Sequence, residues 1–217
     1  MPIRAVVLDL DGTMFDTEAL FHRVAGDYLA ERGKVFTPEI MRAMIGHQAP
    51  VSGLALKTMA ELDGTVEEIL LDLRDRFYAR MDAEVQPMPG LYALLDALRE
   101  RKIPHAVATS SRRAYAERIL RNHRVWDRLH FVLGAEDVSQ GKPEPEIYLK
   151  AADRLELPPK AILVLEDSPP GVTAAKAAGA FTVAVPHDQS PADGLGHADL
   201  LIQGLDDPIL YRHLEGT

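Results

Sequence analysis

The sequence predicts an α/β protein: a Rossmann-like parallel sheet core with helices on both faces, plus an inserted all-α cap. The run Ala5–Leu8 is continuously apolar, which is typical of a parallel strand buried on both faces. Beyond residue 87, similar short runs alternate with helical patterns, and this alternation predicts βαβ units. Between residues 16 and 86 the periodicity is helical and strand signals are absent, so this segment is predicted to be an insertion after the first strand.

The change of pattern gives the predicted domain boundaries. The core comprises residues 1–15 and 87–217, and the helical cap comprises residues 16–86. Within the cap, the periodicity and its stop signals predict helices over 18–32, 38–45, 51–62 and 65–80. Thr65 and Glu68 have the spacing of a capping box, in which each side chain satisfies a backbone N–H at the start of a helix.

The core is predicted to alternate strands and helices to the end of the chain. After the first strand, we predict strands at 105–109, 131–133, 161–165, 182–185 and 200–202. Helices are predicted at 91–101, 113–122, 146–155, 171–178 and from about 206 onwards. Ser168 is expected to cap the helix that follows it, and Ser110 or Ser111 is expected to cap the helix over 113–122.

The composition excludes several classes of protein. The 217 residues include no cysteine, which rules out a disulfide framework, a thiolate nucleophile and a cysteine-type zinc site. The net charge of −9 would repel a phosphate backbone, so no nucleic acid partner is expected. No apolar run approaches the roughly 18 residues of a membrane helix. Asp9 and Asp11 directly follow the first apolar run, which argues against a signal peptide, and we expect a cytoplasmic monomer.

Polar side chains follow three of the predicted strands at the point where each strand ends. In an open parallel sheet, the ligand crevice lies at the carboxyl ends of the strands, so side chains far apart in sequence converge there. A lysine in a Gly-Lys-Pro loop is expected to join them. The residues concerned are Asp9 and Asp11, then Thr109, Ser110 and Ser111, then Lys142, and finally Glu166 and Asp167.

The four carboxylates among these residues indicate a metal site. Like charges held so close repel one another unless a cation lies among them. Oxygen donors of this kind suit Mg²⁺, which keeps several waters and accepts substrate phosphate oxygens. Beside such a cation, an aspartate can attack phosphorus and form an aspartyl-phosphate. Thr109 and Lys142 can then hydrogen-bond and neutralise the transferring group.

These motifs resemble those of the haloacid dehalogenase-like hydrolases. The segment Asp9-Leu-Asp-Gly-Thr resembles the first motif of that family, Thr109 the second, Lys142 in Gly-Lys-Pro-Glu-Pro-Glu the third, and Glu166-Asp167 the fourth. The stretch 165–179 is similar to the branch that contains β-phosphoglucomutase and pseudouridine-5′-phosphate phosphatase. The resemblance covers nearly the whole chain, with the helical cap in the expected place.

The resemblance implies a role for each motif residue. Asp9 would be the nucleophile and a Mg²⁺ ligand, and Asp11 would be the general acid/base with its backbone carbonyl on the metal. Asp167 would be a direct metal ligand. Glu166 would not bind the metal directly but would support its ligands or contact it through a water molecule. The phosphate would be bound by Thr109, Ser110 and Lys142.

The same resemblance implies hydrolysis of a small phosphorylated metabolite and leaves two alternatives open. Mutase members carry an arginine three residues after the cap glycine that matches Gly46, and this chain has Ala49 there. The loss of that cation favours a phosphatase. A β-phosphoglucomutase-like phosphotransferase stays open because Ser111 and Arg112 stand where mutases contact the distal phosphate. A non-catalytic phospho-accepting domain is the other alternative, and the helical insertion argues against it. Further substrate contacts are expected from Glu18, His22 and His47.

Overall fold

A computed structural model of the chain describes residues 2–44, 49–187, 190, 192 and 194–215. The chain forms two compact units, of which the first comprises Met1–Asp16 with Gln86–Thr217 and the second comprises Thr17–Val85. The first unit is built on a parallel sheet with helices, which confirms the predicted α/β class. The role of the second unit as a functional cap stays a prediction.

The sheet of the first unit has six parallel strands. Their bounds are β1 (Ala5–Leu8), β2 (His105–Ala108), β3 (Val132–Leu133), β4 (Ile162–Glu166), β5 (Phe181–Ala184) and β6 (Leu200–Leu201). Their order across the sheet is β3-β2-β1-β4-β5-β6. β1 lies between β2 and β4, with Val7 opposite Ala106 on one side and Val164 on the other. The carboxyl ends of these three neighbouring strands therefore lie side by side.

The helices of this unit lie between successive strands, and the last of them follows the last strand. Their bounds are α5 (Leu91–Glu100), α6 (Arg113–Asn122), α7 (Glu146–Arg154), α8 (Pro169–Ala178) and α9 (Pro208–Leu214). Helices α7 and α8 pack on the sheet face that carries Ala5 and Val7, and they share one apolar cluster with it. This packing fixes both helices against the strands whose ends carry the polar residues.

The second unit consists of helices in its described part. Their bounds are α1 (Thr17–Ala30), α2 (Pro38–Met44), α3 (Ala49–Met59) and α4 (Val66–Glu84). The capping box of Thr65 and Glu68 is confirmed, since each side chain bonds the backbone of the other. Arginines of α4 bridge to carboxylates of α1 and of the turn after it: Arg80 Nη1 lies 2.5 Å from Asp27, and Arg76 Nη1 lies 2.7 Å from Glu31.

Two predicted bounds at the edge of the candidate site differ from the structure. Residues Pro159–Ala161 form a 3-10 turn, so β4 begins one residue later than predicted and extends to Glu166, which pairs with Ala184. α8 begins at Pro169, two residues earlier than predicted, because prolines fit the first turn of a helix. Ser168 is its N-cap and accepts a bond from the Gly171 N–H, as predicted.

The segments on either side of the helical insertion, residues 14–16 and 86–88, are joined by backbone contacts. Phe15 forms an antiparallel bridge with Pro87. The backbone N–H of Asp16 bonds the carbonyl of Gln86 at 2.9 Å, and that of Met88 bonds the carbonyl of Met14 at 2.8 Å. The two ends of the helical insertion are thus tied together within the first unit.

None of the helices in the described ranges combines the length and the apolarity needed to cross a membrane.

Candidate active site

The candidate site lies at the adjoining carboxyl ends of β1, β2 and β4. Asp9 follows β1 directly, and its backbone N–H continues the sheet ladder to the carbonyl of Leu165 at 3.0 Å. Thr109 follows β2 in the same way, with its N–H on the carbonyl of Leu133 at 3.0 Å. Glu166 is the last residue of β4. The regular ladder therefore extends into the site and fixes the backbone that carries these side chains.

Lys142 reaches into this site from the loop before α7. Its Nζ atom donates to Asp9 Oδ1 at 2.5 Å, to Glu166 Oε1 at 2.5 Å and to the carbonyl of Ala108 at 3.1 Å. These contacts use all three protons of the ammonium group. The side chain is 5% exposed. The structure thus brings the lysine and the first aspartate of the sequence pattern into direct contact.

The charge of Lys142 is maintained by its acidic neighbours. Burial alone would lower the pKa of the ammonium group, but the negative charges of Asp9 and Glu166 outweigh burial and hold this pKa well above its ordinary value. The lysine therefore stays protonated at neutral pH. It supplies a fixed positive charge next to Asp9.

Three carboxylates form a compact group, and two of them, Asp9 and Glu166, contact this lysine. One oxygen of each of Asp9, Glu166 and Asp167 lies within 4.8 Å of the other two, and all three residues are buried. Burial raises the pKa of Asp9 well above its ordinary value; Lys142 opposes this rise, and Glu166 and Asp167 add to it. With all three carboxylates ionised, one ammonium leaves an excess of negative charge, and this grouping of oxygen donors fits a divalent cation.

Asp167 is held by two side chains, and neither was among the predicted site residues. Thr13 donates to Oδ1 at 2.8 Å, and the His187 ring lies 3.2 Å from Oδ2. Gly12 has a φ of +79°, and a Cβ atom there would lie 2.4 Å from Oδ2 of Asp167, so only glycine fits. His187 lies between the predicted strands at 182–185 and 200–202, and no motif in that stretch singled out this histidine.

Glu166 is surrounded by donors on both of its oxygens. Oε1 accepts from Lys142 and from the Tyr148 hydroxyl at 2.6 Å. Oε2 accepts from the Ser168 hydroxyl at 2.9 Å and from its backbone N–H at 3.3 Å. A carboxylate offers about four acceptor positions, and these four bonds use them. Asp9 and Asp167 are therefore better placed than Glu166 to supply oxygens to a metal.

Asp11 faces a different set of groups from the other acids. Its Oδ2 accepts from the Ser111 hydroxyl at 2.7 Å, and its Oδ1 accepts from the Tyr115 hydroxyl at 2.8 Å. Thr109 Oγ1 lies 3.5 Å from Oδ2 and also accepts the Ser111 N–H at 3.0 Å. The side chain of Asp11 is thus oriented by α6 and the turn before it. Tyr115 was not predicted, because it sits in an ordinary helical pattern.

The prediction that Ser110 or Ser111 caps α6 is wrong. Its N-cap is Arg112, which makes no side-chain capping bond. The Ser111 hydroxyl donates to Asp11, and the first N–H of the helix, that of Arg113, donates to the Glu136 carboxylate at 3.0 Å. Ser110 and Arg112 are exposed at the same turn.

The remaining predicted residues belong to the second unit. Glu18 lies in the first turn of α1, and the ring of His22 packs 5.7 Å from that of Phe36. His47, and Gly46 before it, lie outside the described residues.

Comparison with known proteins gives the family context of this geometry. Residues 6–185 match the family model described as haloacid dehalogenase-like hydrolase. The chain is 35% identical over 182 residues to the bifunctional riboflavin kinase/FMN phosphatase of Arabidopsis thaliana, covering 83% of this chain and 48% of that protein. The chain thus spans about half the length of that relative.

Two further similarities extend over almost the whole chain. A Drosophila melanogaster protein with the provisional name pseudouridine-5′-phosphatase is 36% identical over 207 residues, which cover 93% of this chain and 89% of that protein. Among solved structures, a Thermotoga maritima protein with the provisional name β-phosphoglucomutase superposes with a TM-score of 0.85 at 26% identity. That superposition covers 98% of this chain and 100% of the other.

Proposed function

The chain belongs to the haloacid dehalogenase-like hydrolase family, and on this premise we propose that it is a Mg²⁺-dependent phosphatase that forms an aspartyl-phosphate on Asp9. The class of enzyme follows from the family and from its phosphatase relatives: the chain is a phosphoric monoester hydrolase. The proposed substrate is a small phosphomonoester such as a sugar phosphate or a nucleotide-like phosphate.

The contact between Lys142 and Asp9 carries this proposal. Among the described residues, two of the three grouped carboxylates, Asp9 and Glu166, bond the ammonium of Lys142. Of these two, only Asp9 directly follows the central strand β1. A phosphoryl group that approached Asp9 would meet a fixed positive charge beside the attacking oxygen. Such preorganised charge is the main source of catalysis in phosphoryl transfer.

Mg²⁺ fits the same group and would be held by Asp9, Asp167 and the backbone carbonyl of Asp11. When bound, the cation would offset the negative charge of the phosphate and of these carboxylates. Thr13 and His187 hold Asp167 in place, so this ligand would be oriented before a metal arrives.

The proposed reaction has two steps on Asp9. In the first, an Asp9 carboxylate oxygen forms a bond to phosphorus as the bond to the leaving oxygen breaks, and Asp11 gives that oxygen a proton. In the second, a water oxygen attacks phosphorus, Asp11 takes its proton, and the bond to Asp9 breaks to release inorganic phosphate. Lys142 and Thr109 hold the phosphoryl oxygens through both steps.

The test is turnover of a chromogenic phosphomonoester with Mg²⁺, followed by chemical trapping of the intermediate. We expect steady release of inorganic phosphate, and we expect borohydride reduction during turnover to convert Asp9 alone to homoserine, which peptide mass spectrometry detects. Interconversion of phosphosugar isomers without net phosphate release would instead support the mutase. A stable phospho-Asp9 without turnover would support the signalling domain.

A further inference from the structure

A buried tyrosine that the proposed reaction does not use contacts the centre of the site. Tyr148 lies in α7 and is 2% exposed. Its hydroxyl donates to Glu166 Oε1 at 2.6 Å, and the Lys142 Nζ atom lies 5.2 Å from the centre of its ring. Tyr148 therefore contacts two of the residues that set the charge around Asp9.

The hydroxyl of Tyr148 acts as a donor. Burial, together with the charge of Glu166, raises the pKa of the phenol well above its ordinary value, so it keeps its proton. The acceptor, Glu166, is fully buried and lies between α7, which supplies the phenol, and the start of α8, which supplies the Ser168 hydroxyl and N–H. The carboxylate is thus fixed from both sides.

The position of this carboxylate decides where the ammonium of Lys142 lies. One oxygen, Oε1, accepts from both Lys142 and Tyr148, so the two donors share one atom. The other two anchors of Nζ are the backbone carbonyl of Ala108 and the carboxylate of Asp9 itself. Of the three anchors, Glu166 is the one for which the described residues show further side-chain donors, the hydroxyls of Tyr148 and Ser168.

We propose that Tyr148 is a positioning residue that fixes Lys142 against Asp9 through the carboxylate of Glu166. This inference rests on the proposed function, because it assigns the lysine's position a role in phosphoryl transfer. Without the phenol hydroxyl, Glu166 loses one of its four donors, and the position of Oε1 is then set only by Lys142 and by the two bonds that Ser168 makes to Oε2. The Lys142 ammonium is then less well aligned with the transferring phosphoryl group. This misalignment lowers the rate of the chemical step more than it weakens substrate binding.

The test begins with Tyr148→Phe, which keeps the ring and its packing and removes only the hydroxyl. We expect kcat to fall by about tenfold, in line with the loss of a bond to a charged group, while KM changes less than about twofold. The Kd for Mg²⁺, measured by calorimetry, should stay unchanged, because the hydroxyl does not contact Asp9 or Asp167. The control is Tyr92→Phe, which removes an exposed hydroxyl bonded to the His123 carbonyl at 3.2 Å and should leave kcat unchanged.

A double-mutant cycle separates action through Glu166 from any other role. If Tyr148 acts through that carboxylate, Tyr148→Phe should change kcat by less than about twofold in a Glu166→Ala background, which lacks the acceptor oxygen that Tyr148 and Lys142 share. Full kcat in Tyr148→Phe, or a loss of about tenfold in both backgrounds, would overturn the inference. A wild-type enzyme that hydrolyses no phosphomonoester would overturn the proposed function, and with it the inference. Active wild type with full-rate Tyr148→Phe would overturn the inference alone.

Discussion

Gly171 and Glu166 approach each other so closely that no side chain fits between them. A Cβ atom at position 171 would lie 1.9 Å from Oε1 of Glu166. Gly171 is in the first turn of α8, where its N–H bonds the Ser168 hydroxyl at 3.2 Å. The start of this helix is therefore shaped around a buried carboxylate, and the absence of a side chain at residue 171 is part of that shape.

We predict that Gly171→Ala displaces Glu166 and damages both stability and activity. Overpacking of this kind destabilises proteins by about 1–3 kcal/mol, which urea denaturation measures. Gly141→Ala is the matched control, since nothing lies within 4 Å of its added Cβ atom although it directly precedes Lys142. A Gly171→Ala variant with the wild-type free energy of unfolding and the wild-type turnover rate would contradict the prediction, since the start of α8 would then shift to accommodate the Cβ atom.

Asp9→Asn is predicted to abolish turnover while the protein stays folded. The amide cannot act as the attacking oxyanion, yet it has nearly the same shape and still offers an oxygen to the Lys142 ammonium. Phosphate release should drop to background, with an unchanged circular dichroism spectrum. Asp153→Asn, at an exposed position of α7, should retain full activity. Substantial turnover by Asp9→Asn would assign the nucleophile to another residue.

Asp11→Asn is predicted to slow turnover without abolishing the attack by Asp9. The loss of a general acid or base lowers a rate by about 10²–10⁴-fold for each proton transfer. The effect should be smaller for a substrate whose leaving group needs no proton, such as a nitrophenolate. A ratio of mutant to wild-type rates that is the same for good and poor leaving groups would argue against the acid role.

Removal of the metal is predicted to stop activity and lower stability. Mg²⁺ at a hundred times its Kd should raise the free energy of unfolding by about 2.7 kcal/mol, and EDTA should remove both this gain and the turnover. Burial raises the pKa of Asp167, and the charge of Glu166 adds to the rise. Ionisation of Asp167 therefore lowers the free energy of unfolding as pH rises above 3.8, the ordinary pKa of this group. Asp167→Asn should therefore be more stable than wild type in EDTA at pH 7 and gain nothing from Mg²⁺. A gain from Mg²⁺ in that variant equal to the wild-type gain would contradict the assignment.

The stability of the sheet is predicted to depend on pH through His105. This residue of β2 is 4% exposed, and burial lowers its pKa below the ordinary value of 6.5. The unfolded chain then binds a proton that the folded chain does not, so the free energy of unfolding falls as pH drops below about 6.5 and levels off below the folded pKa. His105→Val, compared with wild type by urea denaturation at several pH values, should lack this component. Identical pH profiles would show that the ring is protonated without cost.

Regular features of this chain were predictable from the sequence, and contacts between distant side chains were not. The continuous apolar run of β1 and the capping box at Thr65 depend on neighbours in sequence, so their patterns are local. The link from Tyr148 to Glu166 depends on how α7 packs on the sheet, and a tyrosine on an amphipathic helix looks the same with or without it. Ser111 shows a second limit: the sequence offered a helix cap, while the fold brought a carboxylate into reach of the same hydroxyl.

The paired backbone at Phe15 and Pro87 has a consequence for how such a protein can diversify. The two ends of the insertion are joined by backbone bonds within the first unit. For the folding of that unit, the whole helical segment is therefore equivalent to one loop closed at its ends. Loop-closure entropy grows only slowly with loop length, so segments of different size can be exchanged at this junction at little thermodynamic expense. The substrate contacts predicted for the helical segment could then change in one part of the gene while the proposed catalytic residues stay unchanged in another.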